Sequence, residues 1–217
     1  IRNCLVGSEM CIRDRQILAL LMDHVLTERG ERLMIAGATS GDTGGAALEA
    51  FKTCDGIETF FMFPDGKVSD FQRRQMTTVG ADNCHALAID GSFDDCQTMV
   101  KDMFANQAFA SRVKLSAVNS INWGRVMAQV VYYFTAATAL GAPEQKVSFT
   151  VPTGNFGDIY AGYVAKQMGL PIDRLVIATN ENDILARTLA TGNHELGPVK
   201  ATITPSMDIQ ISSNFER

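Results

Sequence analysis

Short, nearly uninterrupted apolar runs alternate with segments of helical period along most of this chain, and few architectures accept that alternation. Residues 33–37, 59–63, 84–89, 146–151 and 175–179 read as buried strands. Helical spacing is predicted over 16–29, 43–52, 68–78, 92–106, 122–140, 157–168 and 183–190, with Ser92 or Asp90 as a cap for the fourth of these. Strands apolar on both sides, separated by helices, predict an α/β fold with parallel sheets covered by helices. In the first helix Ile17, Leu20, Leu21, His24 and Val25 share a face, the amphipathic signature of a helix packed on a core. Trp123 and the run Tyr132-Tyr133-Phe134 are expected in the core as well.

At 217 residues the chain can hold one large domain or most of two. The stretch 141–145, GAPEQ, is the expected boundary between a first α/β part, 16–141, and part of a second, 142–217. Residues 1–15, IRNCLVGSEMCIRDR, show neither helical nor strand period, nor the layout of a signal peptide. They are similar to translated adapter sequence and are read as non-native. A net charge of −5 gives no electrostatic case for nucleic acid or an anionic membrane. No apolar run reaches the ~20 residues of a bilayer span. Five scattered cysteines, with no metal-ligand spacing to the three histidines, suit a reducing compartment, and a cytoplasmic location is expected.

Ligands of open α/β sheets sit beyond the carboxyl ends of the strands. Two glycine-rich polar loops fall there. In ATSGDTGGAALEAF, Thr39, Ser40, Gly41, Asp42, Thr43 and Gly44 follow a strand and open a helix, whose positive end suits a carboxylate or phosphate. In VPTGNFGDIYAGYVAKQMG, Gly154, Asn155, Phe156 and Gly157 do the same ahead of a helix beginning near Asp158. Neither matches a Walker loop or GxGxxG, and each alone could be an ordinary strand-to-helix turn. A third cluster, Asn119, Ser120, Asn122 and Arg125, lies at the start of the long helix. It is either a second anion site with a bidentate arginine or a plain N-cap with a solvated arginine.

Together GATSGDTGGAALEAF, VNSINWGRVMAQVVYYF, VPTGNFGDIYAGYVAKQMGLPI and TPSMDIQISSNFER resemble threonine synthase, in the same order, from about Gln16 to Arg217. The likeness is closer to the longer bacterial and fungal type. It implies the fold type II architecture of pyridoxal-phosphate (PLP) enzymes, similar to the tryptophan synthase β chain and here incomplete. The implied cofactor is PLP, and the implied substrate is O-phosphohomoserine, converted with water to threonine and phosphate. By position, Gly154, Asn155, Phe156 and Gly157 resemble the cradle for the cofactor phosphate. Ser40, Gly41, Asp42 and Thr43 match the loop beside the cofactor ring, Asp42 being assigned to the cofactor and the others to substrate. Asn119, Ser120, Asn122 and Arg125 would bind substrate, Arg125 its phosphate.

One departure stands against these matches. The family's Schiff-base lysine belongs to a Phe-Lys-Asp motif which, counted back from MDHVL, falls near position 11, where this chain has Cys11. The chain also stops short of the family's C-terminal portion. An internal fragment of an enzyme, inactive alone, is therefore expected. The rivals are another β-family PLP lyase, of threonine dehydratase or cysteine synthase kind, and a non-catalytic ligand-binding homologue that lost the lysine.

Overall fold

Gly30, in the left-handed region at φ 61°, ends the first helix and turns the chain into the first strand. The computed structural model describes residues 6–39, 41–119, 122–200, 202–204, 207–212 and 214–217, without the side chains of 6–11 and 42. Two compact units divide the chain, Ile1–Asn119 and Ser120–Arg217.

The first unit runs α1 (Val6–Arg29), β1 (Leu33–Ala38), α2 (Asp42–Phe51), β2 (Ile57–Pro64), α3 (Asp70–Thr77), β3 (Cys84–Ile89), α4 (Phe93–Ala105), α5 (Gln107–Arg112) and β4 (Leu115–Ser116). Its strands form a parallel sheet in the order β3-β2-β1-β4, with Ile35 beside Thr59 and Phe61 beside Ala86. Strand period two points Ile57, Phe61 and Phe63 into a core shared with Leu18, Leu26, Ala47, Leu48 and Phe51 of α1 and α2. Both α3 and α4 begin with reciprocal capping boxes, Ser69 with Gln72 and Ser92 with Asp95.

The second unit runs α6 (Trp123–Ala139), β5 (Val147–Pro152), α7 (Gly157–Gln167), β6 (Ile172–Ala178) and α8 (Ile184–Thr191), followed by irregular chain. β5 and β6 are parallel neighbours, Val151 opposite Ile177. Val126, Val130, Tyr133 and Ala137 of α6 share a core with Ile159, Ala161 and Ala165 of α7 and with Val147, Val151 and Ile172 of the sheet.

The expected α/β fold with parallel sheets is present. Several local expectations are not. Residues 6–15 are helical, continuous with 16–29, because extending an existing helix is far easier than starting one. α1 buries Leu18, Ala19 and Leu26, with Met22 packed beside them, and leaves Ile17, Leu20, Leu21 and Val25 at 38–68% exposure. His24 is exposed too, 3.6 Å from Glu28. The helix carries two overlapping apolar stripes, and the first unit's core takes the other one. Trp123 is 49% exposed at the start of α6, although Tyr133 is buried as expected. The helix α6 packs with the second unit, so the compact units part before it and not at Gly141. The short elements α5 and β4 carry too little period to be read in advance.

α6 and α7 approach closely at Gly162. A β-carbon there would stand 2.6 Å from the Tyr133 ring and 3.0 Å from Leu175 Cδ2. Gly162→Ala is expected to lower the stability of the second unit by about 1–3 kcal/mol, measured by urea denaturation, since the buried ring has no room to retreat. Unchanged stability would mean the helices can part without loss.

Candidate functional site

The junction from β5 to α7 is the stronger of the two loop candidates. Thr153 N–H extends the sheet by donating to the Ala178 carbonyl at 2.9 Å, and its hydroxyl donates to Val151 O at 2.6 Å. Three residues then turn the chain. Gly154 is half-buried, Asn155 exposed, and Phe156 takes φ 61° and ψ 6°, a left-handed conformation uncommon for any residue with a side chain. Phe156 is the N-cap of α7, and no side chain caps the helix. The first-turn N–H groups of α7 lie at its positive end, where an anion or water is favoured. Tyr133 braces this turn by donating its hydroxyl to the Asp158 carbonyl at 2.9 Å. Burial, then the Asp158 charge and a hydrogen bond with the Asp158 side chain, push the phenol well above its usual range, so it remains a donor.

Behind the turn stands a polar hub. Asp208 Oδ1 accepts from Thr202 Oγ1 at 2.7 Å, Asn180 Nδ2 at 2.7 Å and Asn182 Nδ2 at 3.0 Å, and Oδ2 accepts from Thr202 N–H at 2.8 Å. Asn182 also clasps the Lys200 backbone through both ends of its amide, at 2.8 Å each. Hydrogen bonds from Thr202, then from Asn180 and Asn182, hold the Asp208 carboxyl below the ordinary carboxylate range. None of these residues was singled out from sequence; asparagine and threonine in a loop carry no distinguishing pattern.

The loop between β1 and α2 is built differently. Thr39, 1% exposed, accepts from the N–H groups of Gly41 at 3.0 Å and Gly44 at 2.8 Å through its hydroxyl. It thus acts as a displaced cap, and two of the donors that the sequence offers to an anion are already engaged. The glycines also serve packing. A β-carbon on Gly41 would lie 2.3 Å from Gln72, and one on Gly44 would lie 2.6 Å from Thr39 and 2.8 Å from Met76. Thr43 is half-buried in the first turn of α2. Ser40 and the side chain of Asp42 lie outside the described residues.

In the third cluster, Asn119 is exposed at the end of the first unit, and Ser120 lies outside the described residues. Asn122 caps α6, its side-chain oxygen accepting from Gly124 N–H at 2.9 Å. Arg125 is 4% exposed, so the solvated-arginine alternative is excluded. Cys11 falls within α1, its side chain undescribed. Cys54 and Cys96 are buried and Cys84 half-buried, all free, and burial pushes the Cys54 thiol up to about 11, which marks it as a packing residue. Among the described residues no cluster of histidine, cysteine and carboxylate side chains could hold a metal, and no helix is long and apolar enough to cross a membrane.

The family model described as pyridoxal-phosphate dependent enzyme matches residues 11–217. The threonine synthase of Pseudomonas aeruginosa is 57% identical over 202 residues, which are 93% of this chain and 43% of that protein. A PLP-bound threonine synthase from Brucella melitensis superposes with a TM-score of 0.91 at 64% identity, over 94% of this chain and 44% of the other. The yeast threonine synthase structure gives 0.87 at 45%, over 94% and 42%. The chain thus spans less than half the length of these relatives.

Two outcomes follow. Thr39→Val, which keeps the shape and removes the acceptor, is expected to cost about 1–2 kcal/mol in the first unit, read by chemical denaturation. The Asp208 contribution should be complete above the ordinary carboxylate pKa of about 4 and fade as pH falls through the lower value of the folded state. Asp95 and Asp183, held low by Ser92 and Arg187, fade over the same range. Melting temperature against pH should show this acid limb, with a smaller slope in Asp208→Asn.

Proposed function

Because the chain belongs to the pyridoxal-phosphate dependent enzyme family, we propose that it is a portion of a threonine synthase, which turns O-phospho-L-homoserine and water into L-threonine and phosphate in the cytoplasm. The observation that carries this reading is the uncapped α7 start behind a left-handed Phe156, joined to relatives of the same name at 57% and 64% identity.

The α7 turn fits the cofactor. A phosphate group needs several N–H donors converging without a competing side chain, and Gly154, Asn155, Phe156 and Gly157 frame a helix start with no side-chain cap. These four would hold the phosphate, with Asp42 beside the cofactor in the other loop. When bound, PLP supplies an electron sink that acidifies the substrate carbons next to its amine. The chain's own task is to hold two anions apart and fixed. Gly41, Thr43 and Ser40 would receive the amino-acid end of the substrate, and Asn119, Ser120, Asn122 and Arg125 its phosphate. Arg125 suits that role because a buried guanidinium has a rigid planar fork whose geometry matches phosphate oxygens. The oxygen of Asn122 caps α6, which fixes its side chain at the start of that helix.

By the family resemblance, the lysine that would bind the cofactor covalently and shuttle protons is expected near position 11, where this chain has Cys11. A thiol cannot form the imine that the lysine amine would, so the 217-residue chain is expected not to turn over substrate. The same cysteine favours a second reading, a ligand-binding homologue that keeps the fold and lacks catalysis. Two measurements separate them. The chain alone should release no phosphate from O-phosphohomoserine. Carrying Cys11→Lys and joined to the segments its relatives have outside the matched stretch, it should release phosphate and form threonine. Failure of the completed protein supports the binding homologue, and ammonia released from serine or threonine instead would point to a dehydratase.

A further inference from the structure

Three consecutive residues of the α7 turn are each held by the last stretch of the chain. A β-carbon on Gly154 would meet Ile209 Cδ1 at 3.2 Å and Met207 Cα at 3.6 Å, so the segment lies directly on that glycine. The Asn155 carbonyl accepts from both the backbone N–H of Asn214, at 3.2 Å, and its side-chain amide, at 3.0 Å. The Phe156 ring meets the Phe215 ring edge to face, centroids 5.2 Å apart. Asn214 itself is fully buried.

This arrangement answers a question of cost. A left-handed residue bearing a side chain is disfavoured against the right-handed alternative, and persists only where neighbours fix it. The helix offers no such support, since no side chain caps α7. The support comes from residues 207–215, themselves tied through Asp208 to Asn180 and Asn182, just past the end of β6. A turn Phe215 N–H to Ser212 O, 3.2 Å, and another Arg217 N–H to Asn214 O, 3.2 Å, hold Asn214 from both sides.

We propose that Asn214 and Phe215 are positioning residues, a clamp that holds the Gly154–Asn155–Phe156 turn in its anion-binding form before any phosphate arrives. This rests on the reading that the turn holds the phosphate of PLP. The clamp touches the Asn155 carbonyl and the Phe156 ring, not the N–H groups that the reading assigns to the phosphate. Its contribution is preorganisation, which lowers the ordering that binding would otherwise require.

The test is equilibrium binding of PLP and, separately, of inorganic phosphate to the cofactor-free protein, followed by fluorescence and calorimetry. Asn214→Ala, losing the side-chain hydrogen bond and the packing, should weaken both ligands by about ten-fold. Glycine accepts the left-handed conformation without strain. Hence in a Phe156→Gly background Asn214→Ala should weaken them by only about three-fold or less. A merely structural role would give equal losses in both backgrounds, and that result overturns the proposal. Should Asn214→Ala fail to fold, Phe215→Leu keeps the apolar volume, and phosphate binding unchanged in it overturns the clamp equally. If the unaltered protein binds neither ligand, the functional reading itself falls; if it binds both and Asn214→Ala binds them as well, only the clamp does.

Discussion

A single backbone conformation, φ 61° at Phe156, sets the terms for the second unit. It takes the chain from the last residue of β5 to the first turn of α7 in four residues, and Phe156 as the N-cap makes no side-chain cap bond. Tyr133 fixes the turn from α6, Asn214 and Phe215 fix it from the C-terminal stretch, and the Asp208 hub fixes that stretch. The sheet, two helices and the irregular stretch after α8 thus meet at residues 154–158. Regular structure alone would not hold it, because an αL phenylalanine is disfavoured wherever it is left to itself.

The two glycine-rich loops look alike on paper and are physically different. After β1 the glycines make room: Gln72, Met76 and Thr39 fill the space a β-carbon would need, and Thr39 occupies two donors. After β5 the N-cap Phe156 makes no side-chain cap bond, and Ile209, Asn214 and Phe215 pack on the turn. Glycine at a strand-to-helix junction therefore signals close approach of something, and only the capping pattern says whether that something is protein or ligand.

Much of the fold was legible because its periods are local. The strand 84–89 lies where its apolar run lies, and Ser92 caps α4 as its spacing with Asp95 demands. The two candidate loops fall at strand ends because a parallel sheet leaves them nowhere else to go. What escaped was whatever depends on a partner distant in sequence. Two stripes on α1 satisfy helical spacing equally well, and only the packed core selects Leu18, Met22 and Leu26 over Ile17, Leu21 and Val25. Trp123 reads as core by size yet stands at a helix start with half its surface open. Asn214 meets Asn155 across 59 residues, and no periodicity links an asparagine in SSNFER to one in TGNFG. Arg125 shows the converse: its burial was invisible, but its place beside Asn122 on the α6 start was plain.

That distance of 59 residues has a bearing on biogenesis. Loop closure over such a separation comes late, after local helices and neighbouring strands have formed. A chain emerging from the ribosome would lay down β5 and α7 well before Asn214 cleared the exit tunnel. Until then Phe156 would be free to relax out of its strained turn, so the turn takes its fixed form only once Asn214 and Phe215 have been made.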